Sequence, residues 1–140
     1  LEQTIEPNQH EVYAEVGSNV LLSCNYSSAY SLLWYKQFPG SAPQYLLLIL
    51  DSTRSEYRVD SLDSHFSGKL NKEKTRVDLE ISSVDVIDSA LYYCALNTGG
   101  QKLIFGSGTT VFVESREKHE PSYYTSAYTS CWFGSIVCSS

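Results

Sequence analysis

The chain has 140 residues, four cysteines and a net charge of −6. This length allows one domain with a proper core and excludes two complete β-sandwiches. Its lysines and arginines are dispersed rather than gathered into a basic stripe, so DNA and RNA are excluded as expected partners.

The first half of the chain is predicted to form short strands between turns. Residues 19–24 alternate between inward-facing and outward-facing positions. Residues 38–43 hold two prolines and one glycine, which predict a turn. The apolar run 45–50 predicts a strand buried on both faces, one against the core and one against something outside this chain.

The second half continues an all-β pattern without a long segment of helical periodicity. Residues 77–81 alternate between three β-forming and two acidic side chains, as a half-solvated antiparallel strand requires. Residues 83–88 predict a brief helical turn before a strand at 90–95. Residues 103–114 are expected to close the sandwich, with two glycines marking a bulge.

Cys24, Trp34 and Cys94 have the Cys…Trp…Cys spacing of an immunoglobulin domain, in which a disulfide joins the two sheets and packs on a buried indole. The chain thus resembles an immunoglobulin V-type β-sandwich, all-β, with two antiparallel sheets and a short irregular C-terminal tail. Tyr92 is expected to form the tyrosine corner of this fold. Such a disulfide persists only in an oxidising compartment, which predicts an extracellular or surface-displayed protein.

Three stretches narrow the resemblance to the variable region of a T-cell receptor alpha chain: residues 34–40, residues 88–96, and the joining segment 105–109. The resemblance covers residues 1 to about 114. Phe105 argues against an antibody heavy chain, which carries tryptophan there. Residues 55–61 and 66–70 particularly resemble receptor chains of bony fish.

The resemblance implies an antigen-recognition module that pairs with a T-cell receptor beta chain and binds peptide–MHC. The chain would lie on the extracellular side of the plasma membrane as part of a receptor complex. Signalling would belong to associated subunits. One alternative is a germline-encoded innate immune-type receptor; another is an antibody light-chain variable domain, which shares the joining motif. A plain adhesion domain would give no reason for that motif.

By this resemblance, three loops cluster at one end of the sandwich and bind antigen. Tyr30, Arg54 and Tyr57 suit such contacts because they combine large area with hydrogen bonding. The third loop would meet the peptide, and the other two the presenting molecule. The assigned loop residues are Ser28, Ala29, Tyr30, Ser31, Asp51, Ser52, Thr53, Arg54, Glu56, Tyr57, Asn97, Thr98, Gly99, Gly100, Gln101 and Lys102.

Alternation also predicts a partner face, because Tyr35 and Gln37 lie opposite the core residue Trp34, and Tyr93 lies opposite the core residue Tyr92. The resemblance implies that this face packs on a second variable domain, with Gln37 pairing with the matching glutamine. The alternative is a set of ordinary surface aromatics. The assigned interface residues are Tyr35, Gln37, Pro43, Tyr45, Tyr93 and Phe105.

A glycosylation sequon lies within a predicted strand. Asn25 opens an Asn-x-Ser glycosylation sequon, but it follows Cys24 directly in a predicted strand, whereas acceptor sites are normally exposed loops; this favours an unmodified Asn25. Many variable domains pair the aspartate at the place of Asp88 with an arginine. In this chain His65 stands in the place of that arginine, which leaves the salt bridge to Asp88 in doubt.

No enzyme, metal or cofactor is predicted. His10, His65 and His119 are scattered, and the sequence has no Cys-x-x-Cys or histidine cluster with metal-ligand spacing. The sequence also contains no recognised motif that sets a nucleophile beside a base.

We place the domain boundary near Glu114, because residues 115–140 change to a charged and then Ser/Thr/Tyr-rich composition. Residues 120–124 resemble the opening of an alpha constant region, but this segment is too short for a sandwich of about 100 residues. Cys131 and Cys138 would close a small disulfide loop or remain thiols. The tail is expected to be a truncated or aberrant start of a constant region.

The termini predict processing and anchoring outside this sequence. Residues 1–4 carry no basic start or apolar core of a secretion signal, so an export signal is expected to have been removed. The longest apolar runs fall far short of the roughly 20 residues that cross a bilayer.

Overall fold

The computed structural model describes residues 2–115. It shows two β-sheets, mostly antiparallel, that face each other. One sheet has the strand order β1-β3-β8-β7, and the other has β2-β11-β9-β4-β5-β6 with β10 on β9. Strand β2 is parallel to β11. The strands are β1 (Ile5–Pro7), β2 (Glu11–Glu15), β3 (Val20–Tyr26), β4 (Ser31–Gln37), β5 (Gln44–Leu50), β6 (Glu56–Arg58), β7 (Phe66–Leu70), β8 (Arg76–Ile81), β9 (Ala90–Asn97), β10 (Leu103–Phe105) and β11 (Thr109–Glu114).

The predicted immunoglobulin V-type sandwich is confirmed, and the Cys24–Cys94 disulfide joins its two sheets. Both cysteines and Trp34 are buried in one core cluster. The predicted helical turn is a 3-10 turn at Val86–Asp88. The tyrosine corner is also present, since the Tyr92 hydroxyl donates to the Asp88 carbonyl at 2.6 Å.

Strand alternation places the core as expected, with one correction in β8. Val77, Leu79 and Ile81 face inward and are fully buried. Asp78 was expected to be solvated but is also buried. The Ser23 hydroxyl donates to its carboxylate at 2.6 Å and the Arg76 guanidinium at 2.9 Å, so neighbours on the outer face cover it.

A bulge in β5 places two consecutive residues of its apolar run in the core, whereas Tyr45, Leu48 and Leu50 are half-buried. Trp34 is paired with Leu47, whereas Tyr35 is paired with Tyr45, so the register between β4 and β5 shifts by one residue. Leu46 and Leu47 are therefore both buried although they are consecutive. An extra residue of this kind re-aims the side chains that follow it.

His65 contacts Asp88, so the histidine supplies a partner for this aspartate in the place where many variable domains have an arginine. Its Nε2 lies 3.3 Å from Asp88 Oδ2, and its Nδ1 lies 2.7 Å from Asp63 Oδ1. Burial alone would lower the pKa of His65, but the hydrogen bonds to Asp63 and Asp88 outweigh it and raise that pKa. The hydrogen bond from His65 in turn lowers the pKa of Asp63.

None of the elements within residues 2–115 is a helix long and apolar enough to cross a membrane. The predictions about the tail, including those for Cys131 and Cys138, concern positions outside this described range. The boundary at Glu114 coincides with the end of β11.

The histidine contacts predict that stability falls as pH rises through neutrality. Because the folded-state pKa of His65 is raised, its contribution is fully present below the ordinary value of 6.5 and is lost as pH rises through the folded value. Asp63 acts oppositely, since its lowered pKa gives a contribution that is lost in acid. We expect the free energy of unfolding, measured by urea titration, to drop by less than about 1 kcal/mol between about pH 6 and pH 8, because the pair is partly solvated.

His65→Arg is the matched variant for this titration, because an arginine stays charged throughout that range. Its free energy of unfolding should change less with pH than that of the parent chain. An identical pH dependence in both proteins would contradict the assignment to His65.

Candidate functional site

The three predicted loops meet at the backbone of Tyr30. Its N–H donates to the Asn97 carbonyl at 2.8 Å, and its own carbonyl accepts from the Asp51 N–H at 3.1 Å. These bonds tie the first loop to the third and to the second. The Tyr30 side chain is 59 % exposed, so the residue that joins the loops also presents an aromatic ring to solvent.

The first loop is shorter than predicted. Ser28 is exposed and Ala29 is half-buried, but Ser31 is the first residue of β4 and is only 3 % exposed. Its assignment as a contact residue was wrong, because β4 begins there and its side chain is covered. Asp51, at the edge of the second loop, accepts a hydrogen bond from the Tyr26 hydroxyl at 2.7 Å.

The side chain of Arg54 is exposed, and its guanidinium forms hydrogen bonds within the chain. Its guanidinium donates to the carbonyls of Asn71 at 3.0 Å and Lys72 at 2.8 Å, with a longer bond to Leu70 at 3.4 Å. Its backbone has a positive φ of 64°, a conformation that non-glycine residues adopt rarely. Arg54 therefore connects the second loop to residues 70–72, at the end of β7.

Glu56 also forms hydrogen bonds within the chain. Its carboxylate accepts from Arg58 Nε at 3.0 Å and from the Gly68 N–H at 2.8 Å, which links the edge strands β6 and β7 of the two sheets. Burial would raise the pKa of Glu56, but the hydrogen bonds to Arg58 and Gly68 lower it overall. Ser52, Thr53 and Tyr57 are exposed, so they remain candidates for contact.

The third loop is a hairpin between β9 and β10, closed where Asn97 pairs with Leu103. The Asn97 side-chain oxygen accepts from the Gly99 N–H at 2.8 Å, and Gly99 has a φ of 111° that suits glycine. A methyl group at Gly100 would meet nothing within 4 Å. Thr98 is half-buried, whereas the tip residues Gln101 and Lys102 are exposed.

The predicted partner face is an aromatic cluster on the outward side of the larger sheet. The Tyr35 ring lies 5.1 Å from that of Phe105 and 5.8 Å from that of Tyr45, between centroids. Tyr35 and Tyr45 are half-buried and Phe105 is 48 % exposed. Burial raises the pKa of both tyrosine hydroxyls.

The remaining predicted face residues surround this cluster. Tyr93 is paired with Tyr35 across β9 and β4, and it is half-buried like Gln37. Pro43 is exposed in the turn before β5. The Gln37 amide donates to the Ser41 carbonyl at 2.8 Å, a bond within the chain that the sequence did not indicate.

Within the described range 2–115, no group of three or more histidine, cysteine or acidic side chains could hold a metal ion. The outward side of the larger sheet and the loop end both carry exposed aromatic side chains: Phe105 on the sheet, and Tyr30 and Tyr57 on the loops.

The contacts of Arg54 predict that its substitution lowers the stability of the fold more than that of Tyr30, although both residues are exposed. Arg54→Ala should lower the free energy of unfolding by roughly 1–2 kcal/mol, because carbonyls of the 70–72 turn lose their donors. Tyr30→Ala should change it by less than about 0.5 kcal/mol. Denaturant titration of the two variants would measure this, and equal losses would contradict a structural role for Arg54.

Comparison with known proteins agrees with this geometry. Residues 7–114 match the family model of the immunoglobulin V-set domain. The T-cell receptor alpha chain V region CTL-F3 of Mus musculus is 41 % identical over 100 residues, which cover 69 % of this chain and 71 % of that relative. The V region RL-5 of Oryctolagus cuniculus is 36 % identical over 114 residues, covering 79 % and 81 %.

A solved marsupial T cell receptor superposes with a TM-score of 0.73 at 22 % identity, covering 81 % of this chain. This chain spans about half of that receptor chain, 52 % of its length, and the likeness establishes the fold. The resemblance of residues 55–61 and 66–70 to fish receptors stays a prediction. The chain therefore belongs to the immunoglobulin V-set family and, within it, to the antigen-recognition V regions of T-cell receptor alpha chains.

Proposed function

We propose that the aromatic face packs against the variable domain of a T-cell receptor beta chain, and that the loop end of the resulting pair binds a peptide displayed by an MHC molecule. The observation that carries this proposal is the cluster of Tyr35, Tyr45 and Phe105 on the outward side of a sheet whose inward side already fills the core.

The composition of this face favours a protein partner. Its six assigned residues carry no charge, and aromatic residues are enriched while charged ones are depleted at the centre of protein interfaces. The tyrosines also carry hydroxyls, and that of Tyr45 donates to the Tyr57 carbonyl at 3.2 Å. A large aromatic anchor with a polar tip is typical of interface hot spots.

The position of β10 supports a central place for the third loop in a paired receptor. This strand carries Phe105 on the partner face and begins directly after the loop tip at Lys102. In a pair, the third loop would lie next to the second chain, and the loops around Tyr30 and Tyr57 would lie further out. This supports the assignment of the third loop to the peptide and of the other two to the presenting molecule.

The loop end has the chemistry of a recognition surface. Tyr30 and Tyr57 present rigid amphipathic rings, and Gly99 and Gly100 let the third loop adapt. We further propose that the chain works on the extracellular side of the plasma membrane, with residues 1–114 as the variable domain. Anchoring and contact with signalling subunits would belong to parts outside residues 2–115.

Co-expression with beta-chain variable domains tests the pairing. Phe105→Ser should raise the dissociation constant for a beta variable domain at least about tenfold, because it removes an exposed aromatic anchor from the face. Leu21→Ser is the matched control, since Leu21 is 56 % exposed on the opposite sheet and should change the constant by less than about twofold.

Affinity would be measured by sedimentation or calorimetry on the full chain, with thermal unfolding to verify that each variant folds. Equal affinities for the parent chain and Phe105→Ser would contradict the assigned face. A folded chain that pairs with none of a panel of beta domains would overturn the proposal.

A further inference from the structure

The glycosylation sequon at Asn25 lies on the outer face of the smaller sheet. Strand β3 alternates, so the buried residues Cys24 and Tyr26 point into the core while Asn25 between them is exposed. The burial of Cys24 therefore does not disfavour modification of Asn25, because adjacent residues of a strand point to opposite faces.

The neighbours of Asn25 leave it uncovered. On one side it is paired with Glu6 of β1, which is exposed, and on the other with Arg76 of β8. The Arg76 guanidinium donates to Asp78 at 2.9 and 3.2 Å, so it is tied along its own strand. Neither cross-strand neighbour forms a lid over the carboxamide.

Ser27, which completes the sequon, is exposed as well. Its hydroxyl oxygen accepts from the Thr4 N–H at 2.9 Å and its own N–H donates to the Thr4 carbonyl at 3.0 Å. Asn25 and Ser27 thus lie on the solvent side with the buried Tyr26 between them. Of the five asparagines in the sequence, Asn25 alone is followed by x-Ser or x-Thr.

We propose that Asn25 carries an N-linked glycan. In the secretory pathway, its side-chain nitrogen forms a bond to C1 of the first sugar of a lipid-linked oligosaccharide diphosphate. The bond between C1 and the diphosphate oxygen breaks, the lipid diphosphate leaves with the electron pair, and the amide loses one proton. The strand can then join its sheet with the glycan in solvent.

The location makes such a glycan compatible with a partner on the aromatic face. Asn25 belongs to the four-stranded sheet, whereas Tyr35, Tyr45 and Phe105 belong to the other sheet, on its outward side. Leu21, 56 % exposed, lies on the same outer face four residues earlier, about 13 Å along the strand. A glycan would shield this apolar side chain.

The test is the mass of the full chain expressed with a secretion signal in glycosylating eukaryotic cells, before and after an amidase that releases N-glycans and leaves an aspartate at position 25. We expect one releasable glycan. Asn25→Gln and Ser27→Ala should abolish it, and Ser27→Thr should retain it. Ser28→Ala, which changes the adjacent exposed serine outside the sequon, is the matched control and should also retain it.

The amidase shift is read on both secreted and cell-retained protein, because transfer precedes folding and does not require secretion. An unshifted parent chain in both fractions would overturn the proposal, and so would a shift that persists in Asn25→Gln. Since pairing with a beta domain is not needed for this readout, the result is independent of the proposed function.

Discussion

The disulfide between Cys24 and Cys94, packed with Trp34 in the core, is the constraint on which the rest of the structure depends. It holds the two sheets face to face, so one side of each strand must fill the space between them. Because side chains alternate along a strand, the other side must face outward. Tyr35 follows Trp34 directly and is therefore directed outward. The same covalent and packing contacts that build the core thus also build the aromatic face.

The sequence predicted strands within residues 19–24, 45–50, 77–81 and 90–95, together with the disulfide, the 3-10 turn and the tyrosine corner, because each depends on local periodicity or fixed spacing. It did not indicate β1, β2, β6 or β7, and residues 103–114, expected to close the sandwich as a bulged edge, form the two strands β10 and β11. It could not predict features that depend on contacts between distant residues. The Arg54 guanidinium donates to carbonyls of the 70–72 turn, and the Glu56 carboxylate accepts from the Gly68 N–H, contacts that no local pattern indicated. The assignment of both residues to the antigen-binding loops stays a prediction. The run of leucines that includes residues 46 and 47 is compatible with the bulge in β5, but sequence periodicity alone did not locate the bulge.

The loop end combines a fixed base with an adaptable tip. Backbone hydrogen bonds at Tyr30 and the closing pair between Asn97 and Leu103 hold the base in place. Beyond that pair, the glycines at 99 and 100 contact little of the framework, and a side chain at Gly100 would enter open space. Residues in the tip could therefore change without loss of core contacts, as an antigen receptor with a variable third loop requires.

The most direct test of this account is to sequence many transcripts that share residues 1–95 from one animal. The account predicts that residues within 97–102 differ between transcripts, while Ala95 and Phe105, which are paired at the base of the hairpin, stay constant. Such variation would establish a recombined receptor whose third loop sets specificity. An invariant stretch from 96 to 104 would contradict this account and would instead indicate a germline-encoded innate receptor.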